Sequence, residues 1–258
     1  MHNTLGFPDL LRLIDERATA FGAEILAAPD LDARVPSCPA WTLLDLVRHL
    51  GDGRRRWATI VAAGPEVAPP AKVEPKDAPA LPRDRAELVA WWTESARRLL
   101  DALREVGPDH VCWVGWGDSQ SPPTAGAVAR HQVQEIAVHT YDAQLAQGAP
   151  RPLPVEVALD GVEEFLVTCV ATTSPWPHKP AIIHYAATEG RSWRVALSAD
   201  GARITRVEES DEVESDASLR GTASQLVQAF YSRVPVDELE LGGDPVVFEQ
   251  LIAWDPGA

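Results

Sequence analysis

Cysteine is scarce: Cys38, Cys112 and Cys169 are the three in 258 residues, and no two stand in a C-x-x-C spacing. That excludes a disulfide framework, and it predicts a reducing compartment, the cytoplasm, with buried or incidental thiols. Long apolar runs are missing too. Charge interrupts each of them well short of the ~20 residues a membrane span requires. The opening stretch MHNTLGFPDLLRLIDERA has no basic region ahead of an apolar core, so it predicts no leader peptide. Positive charge is the third shortage, with 23 Lys and Arg against 38 Asp and Glu and a formal net charge of −15. A nucleic-acid partner needs a concentrated basic surface, which this balance excludes. Arg54-Arg55-Arg56 is the single basic run and is expected on an exposed helix face.

What is present in quantity is proline, 22 residues, much of it gathered into punctuation between helical patterns. Residues 7–28 repeat apolar positions at helical spacing, with Pro8 in the first turn. PDLDARVPSCPAW then reads as a proline-marked connection. Thr42 follows as an N-cap, with Asp45 three residues on as a partial capping box, and opens a second helix with Leu43, Leu46, Val47 and Leu50 inward. Residues 64–82 carry six prolines and no periodicity, an extended connection. A third helix is expected over 83–106, ended by Gly107-Pro108, and a fourth over 124–147, between Pro122-Pro123 and Gly148. In the segment 109–123 between them, Trp113 and Trp116 either wall a pocket or pack on the bundle end. Beyond GAPRPLP the pattern changes to a helix at 155–171, then strand-like alternation over 180–187, 191–198 and 202–208. An acidic stretch at 208–216 follows, then helices at 221–233 and 245–253. These signals predict an α+β protein of two domains, a helical one over 1–150 and a smaller α+β one over 151–258.

The fourth helix carries the chemistry. At about 100° per residue, Glu135 and His139 lie one turn apart on one line, with His131 a turn before and Asp142 about a turn after. Such a stripe either faces water or faces something that takes nitrogen and oxygen ligands. A carboxylate and an imidazole at i and i+4 reach one divalent ion, but two ligands are too few for zinc, so another element must supply a third. His49 lies at the inward edge of the second helix. An imidazole there is either a hydrogen-bonded boundary residue or that third donor, since both helices are compatible with one antiparallel bundle.

VPSCPAWTLLDLVRHLGD (35–52) and RHQVQEIAVHTYDAQLAQG (130–148) resemble the signatures of the mycothiol-dependent maleylpyruvate isomerase family, actinobacterial proteins with a DinB-like four-helix bundle of up-down type. HYAATEGRSWRVAL and LRGTASQLVQAFYSRVPVDELELGGD resemble the family's C-terminal α+β domain, so the likeness covers nearly the whole chain. It implies a zinc site, or one for another divalent metal, formed by His49, Glu135 and His139, with an open position for water or sulfur. It also implies mycothiol, a sugar-based thiol, as cosubstrate. Under that resemblance Asp142 either orients a ligand imidazole or is a surface carboxylate, and His131 lines the pocket or is solvated. Arg233 matches an arginine position near substrate carboxylates; the competing reading is a helix-end arginine facing the dipole.

The resulting expectation is a zinc- and mycothiol-dependent enzyme acting on a small electrophile, an isomerase or an S-transferase, as a monomer or small homo-oligomer. The alternative is a metal-containing small-molecule-binding or regulatory protein without turnover. Nothing in the residues identifies the substrate; the stretches 109–123 and 208–216 are where substrate choice would differ.

Overall fold

Three of the four long helices begin at a side chain that satisfies a free N–H group, and the first begins at Gly6 with proline in its opening turn. The computed structural model describes residues 5–67, 69, 79–208 and 214–254. Helix α1 (Phe7–Ala27) has Pro8 in its first turn and buries Leu10, Leu13, Ile14, Ala18, Phe21 and Ile25. Helix α2 (Leu43–Ala63) starts at a complete capping box: the Thr42 hydroxyl accepts from Asp45 N, and the Asp45 carboxylate accepts from Thr42 N. Asp84 caps α3 (Arg85–Val106) and Thr124 caps α4 (Ala125–Ala146) by the single bond, each side chain accepting from the N–H three residues on. Each such cap stabilises its helix by about 1 kcal/mol. Most of the proline-rich connection, residue 68 and residues 70–78, lies outside the described residues.

The main packings are α2 on α3 and α1 on α4, closed by α1 on α3 and α2 on α4. Phe21, Leu46, Leu50, Leu88, Trp92 and Ile136 meet in the core between them. Gly51 is what lets α3 come close: a Cβ there would stand 2.1 Å from the Trp91 ring. Trp92 is fixed by donating from Nε1 to the Ala18 carbonyl at 2.9 Å.

Two expectations fail in this half. The segment read as a connection forms an antiparallel ribbon, β1 (Arg34–Val35) with β2 (Cys38–Thr42). It is held to α2 by hydrogen bonds from Leu43 N to Ala33 O and from Leu44 N to Leu31 O. Its strands are too short, and too interrupted by proline, to show a period of two. Arg54, expected at the surface, is 1% exposed. One turn after Leu50 and two after Val47, it falls on the inward stripe of α2, and helical phase overrides the charge run.

The C-terminal unit is a five-stranded sheet with helices packed on it, its strands lying side by side in the order 201–207, 191–198, 181–187, 217–221 and 240–243. Strands β3 (Ala181–Ala187), β4 (Arg191–Ser198) and β5 (Gly201–Val207) form the expected antiparallel meander, Tyr185 opposite Trp193. Burial alternates strictly along β3 and β4, as a half-covered sheet requires. The additions are β6 (Ala217–Gly221), parallel to β3, and β7 (Glu240–Gly243), antiparallel to β6. Helix α5 (Val155–Phe165) passes into a π-helical turn at Leu166–Val170. Helices α6 (Ala223–Phe230) and α7 (Val246–Ala253) are shorter than their sequence patterns.

By contact the chain divides into two units, one holding Leu5–Gly115 and Pro123–Arg151, the other holding Trp116–Pro122 and the chain from Pro152. Gln120 explains the small excursion. Its amide exchanges hydrogen bonds with both the N–H and the carbonyl of Ile204, tying the segment to β5. Among the described residues, no helix is long and apolar enough to cross a membrane.

Candidate metal centre

The chain from the β1–β2 turn into α2 meets α4 in opposite sequence order: Ser37 of the turn with Asp142, then His49 of α2 with Glu135. That pairing brings His49, Glu135 and His139 together, with one ligand-type atom of each within 4.8 Å of the others. His49 Nε2 donates to Glu135 Oε1 at 2.9 Å, and His139 Nε2 lies 3.7 Å from the same oxygen. Donors bonded at ~2.0–2.2 Å around a tetrahedral ion stand about 3.3–3.6 Å apart, so the cluster needs only small side-chain shifts to hold one. Two imidazoles and a carboxylate suit several divalent metals, zinc and non-haem iron among them.

The buried side of the cluster is anchored. His139 Nδ1 donates to Asp142 Oδ2 at 2.7 Å, and Asp142 Oδ1 accepts from the Ser37 hydroxyl at 2.5 Å. Asp142 is fully buried, so this carboxylate fixes the tautomer of His139 with Nε2 turned toward Glu135. Of the two roles foreseen for Asp142, it occupies the inner one. Among the described residues His49 has no such anchor; its ring lies 4.6 Å from that of Trp41, which is also 6.1 Å from the His139 ring.

Burial is the largest influence on the Glu135 carboxyl and pushes it up. The hydrogen bond from His49 and the charges of His139, His131 and His49 together outweigh it and bring the group to about 2. His131 thus acts on Glu135 from one turn away but stands outside the three-donor cluster. Arg233 belongs to the C-terminal unit, where it follows Ser232 in the left-handed conformation (φ 59°). Its Nη1 donates to the Tyr231 carbonyl at 2.7 Å, with the guanidinium 6.0 Å from the Tyr231 ring. Trp113 lies in the helical unit and Trp116 in the other. Residues 209–213 of the acidic stretch lie outside the described residues.

Sequence reasoning passed over Ser37 and Trp41, which sit in the SCPAW segment read as a proline-marked connection.

Comparison with known proteins adds three findings. Residues 11–144 match the family model of the mycothiol maleylpyruvate isomerase N-terminal domain, and residues 156–250 match that of the corresponding C-terminal domain. Two solved structures, titled as the mycothiol-dependent maleylpyruvate isomerase and a histidine-to-alanine variant of it, each align with a TM-score of 0.58 at 15% identity. In both cases the alignment covers 92% of this chain and 93% of the other. At that identity the likeness speaks to the fold. No curated protein matches the sequence.

Proposed function

Since this chain belongs to the mycothiol maleylpyruvate isomerase family, we propose that it is a metal- and mycothiol-dependent enzyme acting on a small electrophile. Residues 1–150 are assigned to the metal-binding bundle and residues 151–258 to the C-terminal α+β domain. The observation that carries this reading is the meeting of His49 from α2 with Glu135 and His139 from α4, donor atoms within 4.8 Å. These three residues would hold zinc, or another divalent ion of similar preference. When bound, such an ion lowers the pKa of a coordinated thiol and supplies a thiolate at neutral pH.

The chain's own groups prepare that chemistry. Asp142 keeps the proton of His139 on Nδ1, so Nε2 offers its lone pair to the ion. To hold an ion through Nε2, His49 would have to give up the proton that this nitrogen shares with Glu135, leaving a lone pair on the imidazole and a free carboxylate oxygen. Trp41 lies against the His49 ring and limits its rotation. In isomerisation, sulfur adds to one carbon of an activated double bond, the bond becomes single and rotates, and expulsion of the same thiolate restores it. In S-transfer the C–S bond persists: on addition the adduct is the product, and on substitution the thioether conjugate forms as the C–X bond breaks and the leaving group departs. Arg233 is assigned to a substrate carboxylate, which a guanidinium binds in bidentate fashion. The few, widely spaced cysteines support a cytoplasmic setting.

The test combines metal analysis with a thiol assay. Purified protein should carry about one zinc per chain after dialysis, as a three-ligand site holds the ion tightly. With mycothiol and an electrophile it should give either a stable conjugate or a thiol-free isomer. Protein that binds no divalent metal and shows no thiol-dependent turnover would overturn the proposal.

A further inference from the structure

The three donors are unequally exposed at their side chains, His49 at 39%, Glu135 at 30% and His139 at 10%, so the cluster opens on its His49 and Glu135 side. Trp41 stands nearer that open side. Its ring centre lies 4.6 Å from that of His49 and 6.1 Å from that of His139, and the two imidazole centres are 5.1 Å apart. A divalent ion bonded to both Nε2 atoms at ~2.0–2.1 Å sits about 3.2 Å from each imidazole centre. The three ring separations then keep that ion within about 7 Å of the indole centre, whichever way it lies. A fourth ligand on the ion, and the group it carries, comes within reach of the indole.

Packing does not use the whole of Trp41. Trp92, Trp176 and Trp193 each donate Nε1–H to a protein oxygen, as buried tryptophans commonly do. Trp41 is half-buried and rests only partly on the core of the bundle. Among the described residues its Nε1 makes no hydrogen bond. An electron-rich ring with a spare donor beside an open coordination position is suited to a flat, unsaturated ligand group.

We propose that Trp41 is a specificity-determining residue that selects planar unsaturated groups at the fourth coordination position. The substrate class it favours is an electrophile whose double bond is conjugated, or one that is aromatic. Such a plane stacks on the indole, and an aromatic pair gains affinity beyond the area it buries. A saturated electrophile of equal size fills the same space without that gain. The inference deepens the metal-site reading above and rests on it.

Cobalt(II) in place of zinc makes the fourth position visible, because a bound thiolate gives a near-ultraviolet charge-transfer band. The full-length chain, as wild type, W41F and W41A, is stripped of metal, loaded with cobalt and titrated with phenylmethanethiol and ethanethiol. Wild type should prefer the aromatic thiol, and that preference should fall about tenfold in W41A and no more than about threefold in W41F. A loosened His49 weakens both thiols alike and leaves their ratio unchanged, so the ratio separates ligand contact from packing. A ratio that moves less than about threefold in W41A overturns the proposal and leaves Trp41 a packing residue. If W41A retains no cobalt, W41L takes its place, since leucine fills space without a π face. Wild type that takes up no cobalt removes the metal-site reading and this inference together. Wild type that takes up cobalt, with a thiol preference unmoved by the substitution, removes the inference alone.

Discussion

The two imidazoles of the cluster have unequal settings. His139 is 10% exposed at its side chain and tied through Asp142 to Ser37, whereas His49 is 39% exposed and, among the described residues, hydrogen-bonded only to Glu135, with Trp41 beside it. The α4 half of the site is thus built before any ion arrives, and the α2 half must exchange a hydrogen bond for a metal bond. Rigidity of this kind improves a site because a ligand held in place loses little freedom on coordination. The pairing of one fixed and one adjustable imidazole lets the site close on an ion without being rebuilt.

Removing the oxygen donor should erase the difference between the halves. Glu135→Ala is expected to lower zinc affinity more than ~100-fold, a cost of about 2.7 kcal/mol or more, with the helical circular-dichroism signal retained. Breaking only the anchored side is a smaller step. Asp142→Asn should lower zinc affinity about 10- to 100-fold, the range for a group behind a ligating histidine, as read by chelator competition. Ser37→Ala removes one hydrogen bond to a charged acceptor and should cost about 1.5–3 kcal/mol in urea unfolding, with only a few-fold change in zinc affinity. Trp41→Phe keeps a ring beside His49 and should leave zinc affinity within about threefold, while Trp41→Ala widens the spread of His49 rotamers and weakens it further.

Acid titration sharpens the same comparison. Glu135 is held at about 2, below its ordinary 4.5, so it contributes stability above pH 4.5 that is lost as pH falls toward 2. The difference in unfolding free energy between metal-free wild type and Glu135→Gln should therefore narrow over that window. A difference that stays constant from neutral pH down to 2 would contradict the assigned environment.

Much of the helical half was legible in the sequence because its boundaries are chemical. Thr42 with Asp45 marks one start by side-chain capping and Gly107 marks a stop, whereas the caps Asp84 and Thr124 were not read although the helices they open were. The stripe of Glu135 and His139 was legible because helical phase is local. His49 was legible as a possible third donor, but only tertiary packing of α2 on α4 could bring it to them. The ribbon at 34–42 was not legible, since two residues of β1 make no pattern and its bonds are to the start of α2. Strand β6 follows the acidic stretch and pairs with β3, more than thirty residues earlier, a partner that no local window contains. Arg54 was misread for a different reason: composition favoured the surface, although the angle between it and Leu50 already pointed inward.

Metal stoichiometry of His49→Ala, measured by elemental analysis beside wild type after identical dialysis, tests the convergence of α2 and α4 most directly. The account predicts about one equivalent of zinc in wild type and less than about a tenth in the variant, because two remaining donors cannot retain the ion. A variant that keeps the full equivalent would show that the adjustable half of the site is no ligand at all.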